Sequence, residues 1–366
     1  MKIVLLIQDI TTKGGTERTT CCVASELYRH GHEVSIVSVF RNENQPHYTA
    51  DGVPVYYLKD ESYTADKHAL LRTGQMARTV RSARRCRALR EADVILCQKI
   101  LASAVAYLSG FRKKSVAVEH FTYWMYTPAI RKIRHRLYQR MRAVVTLTEK
   151  DQALYRQEHL KEVFCIPNMV SVSPVPYRGE DSKRIVSVGR LSHQKGYDLL
   201  LKAVADIADK MGEFYIDIYG EGEERSALEA RSEQLGLTDK VHFCGYTDSI
   251  ERVYATSAFY VMSSRFEGFP MVLLEAAACG LPIVSFDCPE GPAILLGDGG
   301  GMVVEAENTQ ALGEAILTMI QHPALRQQYR QQLRQVIMPY TPQRIGEQWD
   351  TLLTSIILNN QKANER

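Results

Sequence analysis

One pattern narrows the fold more than any other. Short apolar runs of strand length alternate with stretches of helical periodicity along nearly the whole chain. In the first half the runs are KIVLLIQ (2–8), EVSIVSVF (33–40), VPVYYL (53–58), ADVILCQ (92–98), SVAVEH (115–120), AVVTLT (143–148) and EVFCIP (162–167). In the second half they are KRIVSVGR (183–190), FYIDIYG (214–220), KVHFCGY (240–246), AFYVMSS (258–264), PIVSFD (282–287) and GMVVE (301–305). Apolar runs of this length suit strands covered on both faces, and helices between them make the sheets parallel. The stretch NMVSVSPVPYRGEDS (168–182) breaks the pattern with Ser, Pro and Gly and reads as a linker. The expected fold class is therefore α/β, with two doubly wound parallel-sheet domains facing a cleft. Their spans are 1–170 and 183–342, with 171–182 as the joining segment. A helical pattern over 343–360 follows PYTP and has either domain to pack on.

The chain's 366 residues suit two domains of ordinary size. MKIVLLIQDI carries too short an apolar run for a signal peptide, and no run of about 18 apolar residues could span a bilayer. A cytoplasmic location is expected. The eight cysteines have neither CxxC spacing nor histidine partners at zinc spacing, so they read as reduced core residues. The net charge of +3 hides an asymmetry. Residues 1–180 hold 28 Lys and Arg against 17 Asp and Glu, whereas 181–366 hold 17 against 25. The basic excess gathers in 72–90, 111–114 and 131–142. It suggests an anionic partner such as a lipid surface or a pyrophosphate-bearing acceptor, or else a solvated helix face. No recognition motif supports nucleic acid as the partner.

In open α/β sheets ligands bind beyond the carboxyl ends of strands, so each strand-to-helix turn is a candidate site. After the first run, KGGTER brings Gly14 and Gly15 to a helix start, where backbone and free amides can approach a phosphate. A tight turn alone is the competing reading, and the GxGxxG of a dinucleotide site is absent. In VGRLSHQKG (188–196), Arg190 and Lys195 straddle a short turn after a strand, and two cations there suit a diphosphate. In RFEGFPMVLLEAAACG (265–280), Glu267 and Glu275 stand among apolar residues, where carboxylates need partners. Gly268 allows close backbone approach and Pro270 fits a first helical turn. His120 closes a strand and precedes an aromatic loop, either as a ligand contact or as a satisfied structural residue.

As a set, KGGTER, EH (119–120), IPN (166–168), VGRLSHQKG and Glu267 with Glu275 in EGFPMVLLEAAACGLPIV resemble the retaining glycosyltransferases of family 4. That family has the GT-B architecture of two facing Rossmann-like domains. The resemblance implies that Arg190 and Lys195 hold a donor diphosphate, Glu275 a ribose diol and Glu267 the sugar hydroxyls. Backbone around Gly268, Phe269, Pro270 and Met271 would line the sugar and phosphates. Gly14 and Gly15 would close over the phosphate, His120 would touch the sugar, and Tyr246 would neighbour the base. SFDCPEGP (285–292) resembles members building surface polysaccharide, lipopolysaccharide or lipid-linked glycans, although Ala293 stands where relatives often carry an acid.

The implied reaction moves a hexose or N-acetylhexosamine from a nucleotide sugar, with UDP favoured, to a glycan or lipid-linked acceptor. The catalytic residues would be Arg190, Lys195, Glu267 and His120. No cofactor and no metal is expected, the nucleotide sugar being the co-substrate. Peripheral contact of the basic half with an anionic membrane accompanies this reading. The same architecture also serves a nucleotide-sugar epimerase, a phosphorylase or a non-catalytic binding subunit.

Overall fold

The computed structural model describes residues 1–60, 69–173, 175–289, 291–297 and 299–364. Pro174 of the linker and Glu290 of CPEGP lie outside them. The chain divides into two compact units, Met1–Met169 with Pro342–Arg366, and Val170–Thr341.

The first unit holds strands β1 (Lys2–Asp9), β2 (Glu33–Phe40), β3 (Val55–Tyr57), β4 (Val94–Gln98), β5 (Ser115–Val118), β6 (Ala143–Thr146) and β7 (Val163–Cys165). They form a seven-stranded sheet in the order β3-β2-β1-β4-β5-β6-β7, and every pairing is parallel. Its helices are α1 (Gly15–Arg29), α2 (Ala69–Arg85), α3 (Arg87–Glu91), α4 (Lys99–Leu108), α5 (Pro128–Tyr138) and α6 (Glu149–Gln157). Successive side chains of a strand point to opposite faces, which makes an uninterrupted apolar run useful here. Ile3, Leu5 and Ile7 of β1 join one core with Ala24 and Leu27 of α1. Val4 and Leu6 join a second core with Ala83 of α2, Val105 of α4 and Leu137 of α5.

The second unit repeats the plan with β8 (Arg184–Val188), β9 (Tyr215–Tyr219), β10 (Val241–Gly245), β11 (Phe259–Met262), β12 (Ile283–Phe286) and β13 (Gly301–Val304). The order is β10-β9-β8-β11-β12-β13, again all parallel. Helices α7 (Tyr197–Ala205), α8 (Arg225–Gln234) and α12 (Thr309–Gln321) serve one face. Helices α9 (Ile250–Ala255), α10 (Met271–Ala278), α11 (Pro292–Leu296) and α13 (Pro323–Val336) are placed with the other. Val170 and Val172, read from sequence as linker or its edge, belong to the second unit's core. The final helix α14 (Pro342–Asn364) packs on α1 of the first unit through Ile345, Trp349 and Leu353.

Each sequence-expected run coincides with one observed strand: β1 extends one residue further, to Asp9, β2 matches its run, and the others are shorter by one to three residues where the chain turns out of the sheet. The cysteines are all free, but Cys244 is exposed, which corrects its reading as a core residue. It stands on β10, the edge of its sheet, where one side has no neighbouring strand to cover it.

Both sheets reverse their direction of strand addition at the middle. The reversal falls between β1 and β4 in the first unit and between β8 and β11 in the second. Loops leaving neighbouring strands diverge there, which opens space at the carboxyl ends.

Candidate functional site

In the second unit the loops after β8, β11 and β12 meet at this reversal. His193–Lys195 forms a 3-10 turn closed by Gly196 at φ +63°, a left-handed conformation that favours glycine. A Cβ on Gly196 would stand 2.1 Å from Ser263 O, so the two loops approach as closely as backbone allows. Four hydrogen bonds bind them. Ser263 Oγ donates to Lys195 O at 3.0 Å, and Arg265 N to Gln194 O at 2.8 Å. Gln194 Nε2 donates to Phe266 O at 3.0 Å, and Arg265 Nη1 to His193 O at 2.9 Å. Arg265 then forks onto Asp198 at 2.8 and 2.7 Å, the planar two-bond geometry that fixes orientation.

This strap delivers Lys195 to Glu267. Lys195 Nζ donates to Glu267 Oε1 at 2.7 Å, and Ser264 Oγ donates to the same oxygen at 2.6 Å. Only 17% of the Lys195 side chain and 7% of the Glu267 side chain remain accessible. The buried carboxylate therefore has protein partners, where the sequence reading sought them in sugar hydroxyls. Glu275, also buried, accepts from Ser171 Oγ at 2.9 Å. Below the pair, Cys288 lies buried, its thiol pushed up to about 12 by burial and by the charge of Glu267.

Other expected members take different places. Arg190 does not share Lys195's partner. Its side chain is 73% accessible and its Nε donates to Glu223 Oε2 at 3.1 Å. Pro270 is the residue before α10, outside its first turn, because its ψ of 82° is not helical. Its carbonyl accepts from Leu273 N and Leu274 N. The Met271 amide donates to Phe269 O at 2.9 Å, so that amide is engaged within the protein. Gly268 and Phe269 are half-buried in the preceding loop, with the Phe269 ring 5.9 Å from that of Tyr340. Tyr246 is exposed just after β10.

In the first unit, Gly14, Gly15, Lys99 and His120 follow the ends of β1, β4 and β5, three adjacent strands, and Gln98 is the last residue of β4. No described atom lies within 4 Å of a Cβ built on Gly15, so packing within the protein does not demand glycine there. Gln98 Nε2 donates to Leu96 O at 3.3 Å, which leaves its Oε1 as an acceptor. The 2.6 Å contact from that oxygen to His120 Nε2 then makes Nε2 the protonated nitrogen and Nδ1 an acceptor. Burial, aided by the Lys99 charge, pushes the His120 pKa down to about 3, so the ring is neutral.

Several residues of this region were not singled out from sequence. Lys99 has φ +68° although it is not glycine, and its ammonium lies 4.6 Å from the Phe121 ring centroid. Burial lowers its pKa and raises that of Glu17. Behind His120, Glu119 is buried and accepts from Tyr138 Oη. Arg134, fully buried, has its guanidinium 4.9, 5.1 and 4.6 Å from the rings of Tyr123, Tyr126 and Tyr155. In sequence the hint was a strand ending in a charged dipeptide before an aromatic run. Its use of an arginine fifteen residues on was hidden by the fold.

Comparison with known proteins places both halves. Residues 13–173 match the family profile described as Glycosyltransferase Family 4, and residues 174–336 match Glycosyl transferases group 1. An uncharacterised glycosyltransferase of Haemophilus influenzae is 28% identical over 358 residues, covering 96% of this chain and 99% of the relative. The amylovoran biosynthesis glycosyltransferase AmsD of Erwinia amylovora is 27% identical over 368 residues, covering 96% and 99%. A crystal structure of S. aureus TarM with fondaparinux, α-GlcNAc-glycerol and UDP is similar with a TM-score of 0.79. It is 16% identical, and the match covers 96% of this chain and all of that one.

Proposed function

The chain belongs to the GT-B glycosyltransferases, its halves falling in family 4 and group 1, and we propose that it is a retaining, metal-independent hexosyl- or N-acetylhexosaminyltransferase using a UDP-sugar. The acceptor class is a glycan or lipid-linked glycan of bacterial surface polysaccharide synthesis, reached at the inner face of the membrane. The relative AmsD, named for amylovoran biosynthesis, and TarM, crystallised with UDP, support this choice.

The observation that carries the reading is the buried Lys195–Glu267 pair at the strand reversal of the second unit. An ammonium held beside a carboxylate at strand ends offers a cation for a diphosphate next to an acceptor for sugar hydroxyls. Both hydrogen bonds to Glu267 described above fall on Oε1, which supports Oε2 as the oxygen for sugar hydroxyls in this proposal. Glu275 is assigned the ribose diol, and Tyr246 the base. The transition state resembles an oxocarbenium ion, and negative charge grows on the departing diphosphate. Lys195 stabilises it from a fixed position, and the exposed Arg190 turns from Glu223 to join it. The leaving phosphate takes the acceptor's proton, with departure and attack on one face, which retains configuration. His120, neutral with an accepting Nδ1, is assigned a sugar hydroxyl, and Gly14 with Gly15 a phosphate.

Thermal unfolding with UDP, GDP, ADP and their sugars tests the proposal. UDP at about a hundred times its dissociation constant stabilises by about 2.7 kcal/mol. Glu275→Ala is expected to remove most of that shift. Equal stabilisation by all three nucleotides, or an unchanged shift in the variant, would refute the donor assignment.

A further inference from the structure

Three basic runs far apart in sequence come together on one side of the first unit. Helices α2, α4 and α5 pack side by side over the same core. At the end of α4, Arg84 Nη2 donates to Leu108 O at 2.9 Å, and Arg140 Nη1 donates to Tyr107 Oη at 3.2 Å. The chain then runs directly into the 3-10 turn Arg112–Lys114. From this cluster α5 carries the same character toward the strand ends. Residues 120–148 contain six Lys and Arg and no Asp or Glu.

The outward side of α5 is not simply polar. Arg134, Leu137 and Tyr138 face the core, whereas Ile130, Lys132, Ile133 and Arg136 are exposed. Ile133 and Trp124, the latter in the turn Tyr123–Met125 before the helix, are each 60% accessible. Met125 and Ile130 are exposed beside them. The Arg131 guanidinium lies 4.7 Å from the Trp124 ring centroid and backs the indole. A carboxylate that reaches this helix, Glu158, accepts from Tyr123 Oη, and its other oxygen lies 3.3 Å from His135 Nδ1.

A soluble polyanion would need the cations alone. Tryptophan, isoleucine and methionine exposed between cations are the composition of a helix lying in a bilayer interface. We propose that the turn at Trp124 and helix α5 form a docking surface for an anionic phospholipid bilayer. Trp124, Met125, Ile130 and Ile133 enter the headgroup–acyl boundary, while Lys132, Arg136 and Arg140 meet headgroup phosphates. This deepens the membrane part of the proposed function. Its test reads lipid binding alone, so its failure leaves the transferase assignment standing.

The experiment is flotation of the full-length protein with vesicles of phosphatidylcholine, alone or mixed with phosphatidylglycerol. Binding is expected to the mixed vesicles and to weaken with added salt. Lys132→Gln, Arg136→Gln and Arg140→Gln together are expected to lower partitioning about a hundredfold, each basic residue contributing about 1 kcal/mol near such a surface. Trp124→Ser with Ile133→Ser, at constant charge, is expected to lower it at least about tenfold. These positions are exposed, and an unchanged melting temperature verifies folding. Binding to neither vesicle, or equal binding to both, overturns the proposal. So does a loss confined to the basic variant, which would assign the surface to a soluble polyanion.

Discussion

Lys195 Nζ stands 2.7 Å from Glu267 Oε1, each side chain reaching the other from a loop that leaves a different, adjacent strand. The contact joins positions 72 residues apart and is almost closed to solvent. Breaking such a pair leaves an uncompensated buried charge, which costs about 3–5 kcal/mol, more than the pair itself contributes. Lys195→Met and Glu267→Gln are each expected to lower unfolding free energy by about 2 kcal/mol or more. The double variant is expected to be more stable than the sum of the two losses predicts. Urea denaturation of the four proteins measures this, and strict additivity would show that the pair is not coupled.

Gly196 sets the position of that lysine. Its left-handed backbone and the 2.1 Å approach to Ser263 O leave no room for a methyl group. Gly196→Ala is expected to destabilise by about 1–2 kcal/mol from backbone strain alone, with the clash adding to it. The UDP-induced thermal shift is expected to fall with it, because the loop that carries Lys195 must move. An alanine variant with full stability and full nucleotide response would contradict this.

Arg190 separates stability from catalysis. Its exposed pair with Glu223 is worth little, so Arg190→Ala is expected to change stability by less than about 0.5 kcal/mol. In the role proposed for it, as a cation for the leaving diphosphate, its loss is expected to lower kcat by about 10²–10³. Steady-state kinetics beside a denaturation curve reads both. Unchanged kcat would leave Arg190 as a surface residue.

His120 makes acid stability measurable. Its folded pKa, about 3, lies below the ordinary 6.5. Between those values the unfolded chain binds a proton that the folded ring does not. Its contribution is therefore present above 6.5 and is lost as pH falls toward 3, at up to about 1.4 kcal/mol per pH unit. Glu17 and Glu119, whose pKa values are raised by burial, titrate in the opposite sense. The difference between wild type and His120→Asn isolates the histidine, and the variant is expected to have the shallower slope between pH 6.5 and about 5. Parallel curves would place His120 in contact with solvent.

Much of this protein was legible in its order of residues. Strand periodicity is local, so runs such as EVSIVSVF and GMVVE announced two buried parallel sheets before any contact was known. Glycine, lysine and glutamate following those runs marked candidate strand ends, since a strand end is also a local feature. Which side chains meet across those ends was not local. It depended on strand order, which brings β8 beside β11 and so Lys195 beside Glu267, while Arg190, five residues away, turns to Glu223. The same dependence hid the left-handed Lys99, the Arg134 cage and the convergence of three basic runs around Tyr107 and Leu108. Sequence alone determined the layers and the chemical inventory at their edges. Tertiary structure decided the pairings, because a buried charge takes its partner from whatever element the fold sets against it.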